Sequence, residues 1–380
     1  MKSKIKTILS KNNIWNYIKG AKKEGLSALD LHKDKIQKEL RSELQKRQTS
    51  DLNYLIDVVG LCNLRCPSCA VGNSTPTSPK GTMSVERYEE ILTKIEKEHK
   101  NQKVCLHLYN WGEPSLHKDL GKIIQISKAK GFEVGISSNL NKFPDMMNVI
   151  AAKPSWIRVS LSGYSNPVYQ KTHRNGDINL VKANLHMLRY YIDKIKSDTI
   201  IQVGFHVYKS NFPDDFLKMK NMCDELEFIF EPTLASFAPL EKAIDIVDGH
   251  STAEDKEVLE NLVISIEDRV KILKMKRSSH TDCWFRKSFI TINWDSSVSL
   301  CCATYDKDKI IADNFMETSF GQLQAKKYAH PFCNECMSRS LDLMYTGAGG
   351  DEVEKVASHV LGKEYRKFRE TWNSVMERKS

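Results

Sequence analysis

No stretch of the 380-residue chain is apolar over the ~18–20 residues that a membrane span needs. The opening, MKSKIKTILSKNN, is too polar for the apolar centre of a secretory signal. Both absences predict a cytoplasmic protein. Low-complexity tracts and internal repeats are missing too, and 18 Gly with 11 Pro are ordinary for a soluble protein. The body of the chain also lacks a basic surplus. Residues 1–50 carry 13 Lys/Arg against 5 Asp/Glu, while the remainder nearly balances at 44 against 43, so +8 of the net charge of +9 belongs to the head. A nucleic-acid enzyme would carry basic residues around its site, so DNA and RNA are not expected as substrates.

What the chain does have is ten cysteines, at 62, 66, 69, 105, 223, 283, 301, 302, 333 and 336. In a reducing compartment clustered cysteines point to metal binding or catalysis rather than to disulfides. Eight of the ten fall in two groups, one around residue 65 and one over 283–336.

The head, residues 1–50, predicts a basic helical extension, with Ile5, Ile8, Leu9, Ile14, Trp15 and Ile18 at roughly helical spacing. It suits either a helix folded against the main domain or one that docks on an acidic partner or a membrane surface. Residues 51–232 alternate strand-like runs (NYLIDVVG, KVCLHLYNW, FEVGISS, WIRVSLSG, IIQVGFHVY, EFIFEP) with helical stretches near 85–99, 118–130, 144–152, 178–196 and 213–225. Six strands alternating with helices predict an α/β fold: a parallel sheet curved into a partial (β/α)6 barrel, with chemistry at the C-terminal strand ends. Residues 233–280 read as a helical connector. Residues 281–345 read as an α+β module around a hairpin, SFITINWDSSVSLCC, and residues 346–380 as one C-terminal helix over about 351–377.

The first cysteine group, LCNLRCPSC at 61–69, ends the first strand with the spacing C-x3-C-x2-C. A structural zinc site closes with four ligands, so three thiols in one loop leave one position open. This stretch resembles the signature of the radical S-adenosylmethionine (radical SAM) superfamily. The resemblance implies a 4Fe-4S cluster on Cys62, Cys66 and Cys69, whose open iron chelates SAM and whose electron cleaves it to a 5′-deoxyadenosyl radical. YNWGEPSL, closing the second strand, is similar to the family's GGEP motif, with Trp111 replacing the first Gly and Gly112, Glu113 and Pro114 kept. By the same resemblance Ser138 and Asn139, in ISSN, contact the ribose and methionine groups. Ser160, in RVSLSG, and Arg174, in THRNGD, hold the SAM carboxylate.

The second group, Cys283, Cys301, Cys333 and Cys336, resembles the auxiliary-cluster module called SPASM in its shortened form, twitch. Five cysteines, where a full SPASM has seven, imply one auxiliary 4Fe-4S cluster. Cys301 and Cys302 compete for one ligand position, and the family pattern favours Cys301. Spacing alone fits an all-cysteine zinc site as well. Cys105, on a strand, and Cys223, on a helix, suit the core as small hydrophobes; a thiol that gives hydrogen to a substrate radical is the alternative. His107, Tyr109, His206 and Tyr208 fall on strands and could line the mouth, without assigned roles.

Three functions fit. The first oxidises a hydroxyl-bearing small molecule of sugar or aminocyclitol type, with the auxiliary cluster taking the second electron and an external flavodoxin- or ferredoxin-type reductant supplying the first. The second crosslinks or epimerises a ribosomal peptide, although such enzymes usually carry a folded peptide-binding domain before the barrel. The third is a non-catalytic electron-transfer protein, which would need neither GEP nor Arg174 around an open iron. The first is expected.

Overall fold

The computed structural model describes residues 28–72, 80–277, 281–347 and 350–377. The hydrophobic spacing of the head up to Ile18 lies outside them. Six strands follow one another with helices between: β1 (Leu52–Ile56), β2 (Val104–His107), β3 (Glu133–Ser138), β4 (Trp156–Leu161), β5 (Ile200–Val207) and β6 (Ile229–Leu234). All adjacent pairs run parallel in sequence order. A parallel sheet needs a crossover for each strand, and the intervening helices supply it. Helix Val85–Glu98, for example, starts where the Ser84 hydroxyl accepts from Arg87 N, and it buries Tyr88, Ile91, Leu92 and Ile95 against the sheet.

Three more strands extend the sheet: β7 (Phe289–Ile292), β8 (Val298–Ser299) and β9 (Ile310–Ala312), giving the order β6-β5-β4-β3-β2-β1-β7-β8-β9. The hairpin read from SFITINWDSSVSLCC is present, with β7 and β8 antiparallel. Its first strand, however, pairs in parallel with β1, from Asn53↔Phe289 to Ile56↔Ile292. A boundary at 281 therefore cuts through one continuous sheet, and among the described residues β6 and β9 are its two free edges.

The described part of the head, helix Ala28–Gln48, folds against the N-terminal end of the parallel strands. Leu40 and Leu44 cluster with Cys105, Trp156, Ile200 and Ile229. Arg41 pairs with Glu231 and donates to Phe230 O, while Gln37 Nε2 donates to Phe228 O at 2.6 Å. The expected single C-terminal helix is two, Gly350–Leu361 and Lys363–Glu377. Gly362, at φ +83°, breaks them because it adopts the left-handed region without steric cost. Between these ends the connector holds helices Leu240–Val247, Ala253–Asn261 and Ile266–Lys274. No helix of the described residues is long and apolar enough to cross a membrane.

Candidate active site

The cysteine loop leaves the C-terminal end of β1. Cys69 N donates to Cys66 O at 3.1 Å, and Arg65 N donates to Arg174 O at 2.9 Å, so two backbone bonds shape and anchor it. Cys62, Cys66 and Cys69 are partly exposed free thiols. Burial pushes Cys62 up to about 12 and raises Cys66 and Cys69 too; the neighbouring thiols add to the rise at Cys62 and Cys66. Burial therefore disfavours thiolate at all three positions, and a neighbouring cation would favour it. The donor set suits thiolate: Leu64 N lies 3.4 Å and Asn139 Nδ2 3.6 Å from Cys62 Sγ.

The WGEP turn is fixed from beneath by Asp57, just past β1, whose carboxylate accepts from Trp111 N at 3.2 Å and Gly112 N at 3.2 Å. Burial raises the Asp57 carboxyl to about 7 despite those bonds. A Cβ at Gly112 would stand 1.5 Å from Val59 O, so only glycine fits this crossing. The Glu113 side chain is buried and used within the protein. It accepts from Asn139 N at 2.7 Å, Ser115 N at 3.1 Å and Ser115 Oγ at 2.6 Å. Pro114 starts a short 3-10 helix and is buried.

Of the other predicted contacts, Ser138 Oγ accepts from Leu140 N at 3.0 Å and is buried. Ser160 Oγ lies 3.2 Å from Ser137 Oγ at the end of β4. The Arg174 guanidinium is half exposed, 3.5 Å from Glu257; it is the Arg174 carbonyl that meets the cysteine loop. Asp57 escaped sequence reading, although an acid ending an apolar strand just before the cysteines was a visible signal.

The second group converges. Cys283, Cys301, Cys333 and Cys336 line one cavity with Leu240, Leu300 and Phe332. Cys283 caps a short helix, Cys301 follows β8, and the last two sit one turn apart on helix Pro331–Ser338. Cys302 is not among the lining residues; its hydrogen bond holds the Cys301 thiol down at about 7. Lys327, buried beside them, donates to Phe285 O at 3.0 Å and to Phe289 O, and its charge favours thiolate at Cys301, Cys302 and Cys333. The module touches the first site: Trp111 Nε1 donates to Thr304 O at 3.0 Å, and the Trp111 ring meets Tyr305 edge-on. Cys105 and Cys223 are fully buried in the core.

Residues 56–207 match the Radical SAM superfamily, and this stretch runs from the last residue of β1 through the cysteine loop to the end of β5. Over that stretch the chain is similar to proteins of the Radical SAM superfamily. The ribosomal protein uS12 methylthiotransferase RimO of Elusimicrobium minutum (strain Pei191) is 23% identical over 193 residues. That match covers 47% of this chain and 43% of the relative, so the chain spans under half the length of the curated protein it matches. Among solved structures, Streptococcus suis SuiB bound to S-adenosylmethionine is similar at 13% identity and a TM-score of 0.49, covering 78% of this chain and 70% of that one. BtrN in complex with AdoMet and 2-DOIA is similar at 11% identity and 0.43, covering 76% and 87%.

Proposed function

We propose that the protein is a radical SAM oxidoreductase that oxidises a hydroxyl-bearing small molecule, of sugar or aminocyclitol type, with one auxiliary 4Fe-4S cluster. The observation that carries this reading is the convergence of Cys283, Cys301, Cys333 and Cys336 on one cavity, in a module joined to the WGEP turn through Trp111 and Thr304. When bound, the first cluster and SAM supply a 5′-deoxyadenosyl radical, and the second cluster supplies an electron acceptor.

The rest is work for the chain's own residues. Cys62, Cys66 and Cys69 hold the first cluster, and Asn139 and Leu64 N orient the Cys62 sulfur. The WGEP backbone, kept in place by Asp57 and Glu113, offers its carbonyls to the SAM ammonium. Ser160 and Arg174 take the SAM carboxylate; an exposed pair such as Arg174–Glu257 is worth only about 0–1 kcal/mol, so Glu257 releases the guanidinium readily. Cys283, Cys301, Cys333 and Cys336 hold the second cluster, with Lys327 offsetting its negative charge.

The electron for SAM cleavage comes from an external flavodoxin- or ferredoxin-type donor.

The test is the double variant Cys333→Ala/Cys336→Ala. It should still bind SAM and cleave it reductively, with its first cluster intact, yet form no oxidised product from candidate polyols. Normal turnover would reduce the second site to a structural one and favour a redox-neutral reaction such as epimerisation.

A further inference from the structure

The inner wall of the barrel carries a guanidinium that the described residues leave without a partner. On β4, Ile157, Val159 and Leu161 are fully buried in the cluster beneath the helices. Strand alternation therefore turns Trp156, Arg158 and Ser160 to the inner side. Trp156 closes the floor with Leu44 and Ile200. Arg158 stands one step nearer the mouth, partly exposed, in register with Ser137 of β3 and Gln202 of β5.

The space it occupies is reserved for it. A Cβ at Gly204, on the neighbouring strand, would lie 2.6 Å from Arg158 Nη2. Its charge is felt by Tyr109 and His206. Tyr109 belongs to a chain of contacts in which its hydroxyl lies 3.3 Å from His107 Nδ1, and His107 Nε2 lies 2.9 Å from Asn53 Oδ1. Both histidines are largely shielded from water and held well below their usual range, so neither adds charge near neutral pH.

Among the described residues the Arg158 side chain donates no hydrogen bond and joins no ion pair. The strand carboxylates that might have served are taken: Glu231 by Arg41, and Glu133 by Lys128 and Ser155. A guanidinium drawn into a protein without a counter-charge is costly, and a neutral hydroxyl would leave that charge uncompensated.

We infer that Arg158 receives an oxyanion of the substrate, so that the oxidised molecule is an acid-bearing one, a hydroxy acid or a phosphate ester. The planar fork of arginine accepts carboxylate and phosphate alike in two parallel hydrogen bonds. Anchored there, the molecule would present its remaining hydroxyls toward the strand ends, where Ser137 and Ser160 lie side by side. The inference rests on the proposed function in taking the lumen as the substrate site and its occupant as the molecule that is oxidised.

The experiment titrates inorganic phosphate and, separately, acetate into the iron-loaded, SAM-bound full chain, following 31P and 13C line widths. At least one anion should bind in the millimolar range, at least tenfold more weakly in Arg158→Gln, with Arg158→Lys intermediate. Gly204→Ala, which displaces the guanidinium without removing it, should weaken binding in the same direction and covers the case in which Arg158→Gln does not fold. Binding of phosphate alone would mark a phosphate ester, and binding of acetate alone a hydroxy acid. Equal anion binding by the wild type, Arg158→Gln and Gly204→Ala would overturn the inference. Iron content and SAM affinity, read on the same wild-type samples, report separately on the radical SAM reading.

Discussion

Asn139 holds two parts of the site at once: its side-chain Nδ2 lies 3.6 Å from Cys62 Sγ, and its backbone N donates to Glu113 Oε2 at 2.7 Å. The end of β3 is thereby tied both to the cysteine loop and to the turn after β2. Any change in the Glu113 carboxylate should thus be felt at the cysteines, although its hydrogen bonds to Asn139 and Ser115 reach none of them directly.

Glu113→Gln tests that tie. An amide can accept on one side only, so its NH2 must face either Asn139 N–H or the Ser115 N–H. A buried donor left facing a donor costs about 1–3 kcal/mol. The variant should melt lower and retain less iron at the first site, as read by anaerobic iron analysis and calorimetry. Wild-type melting together with full iron would show that the bond to Asn139 is dispensable.

Iron counts should separate the two cysteine groups. The intact protein is expected to hold about eight irons, as two 4Fe-4S clusters. Changing Cys62, Cys66 and Cys69 together to alanine should leave about half. Retention of all the iron would refute the first site, and one zinc per chain would refute the second.

Arg174→Ala should weaken SAM binding about tenfold, roughly 1.4 kcal/mol, with both clusters retained. Glu257→Gln should have the opposite sign or none, because it removes the competing carboxylate. Unchanged affinity of the Arg174 variant by calorimetry would leave that residue with only its carbonyl contact to Arg65 N.

Acid should destabilise the sheet through His107 on β2 and His206 on β5. Burial holds both His107 and His206 at about 4, below the ordinary 6.5. Between those values the unfolded chain binds protons that the folded one does not, so stability rises with pH there and is lost as pH falls from about 6.5 toward 4. At pH 5 each histidine costs about 2 kcal/mol. The urea midpoint should drop between pH 7 and pH 5, and His107→Gln with His206→Gln should shrink that drop. An equal drop in the double variant would assign the acid sensitivity to other groups.

Much of the barrel was legible because each unit announces itself locally. The five helical stretches read between the strands became Val85–Glu98, Leu120–Ala129, Met146–Ala151, Ile178–Ile195 and Asp214–Glu225, close to their expected limits. The pairing of β7 with β1 was not legible, since periodicity describes a strand but not its distant neighbour. The final helix was read as one because its apolar spacing runs across Gly362, whose left-handed conformation alone divides it. Within the site, residue type located Cys62, Cys66 and Cys69 but not the direction of the side chains. Glu113 turns inward to Asn139 and Ser115, and Arg174 turns outward to Glu257. Arg158 is an ordinary polar position of an alternating strand by sequence; its lack of a partner among the described residues sets it apart.

The parallel pairing of β1 with β7 also sets an order of events during synthesis. β1 leaves the ribosome early with the three cysteines just behind it, but the strand that covers its open side follows more than two hundred residues later. At ~5–20 residues per second that interval lasts roughly 10–50 seconds, during which β1 has only β2 beside it. Until β7 arrives, the backbone groups on that side of β1 stay unpaired, and the flank beside the cysteine loop stays open.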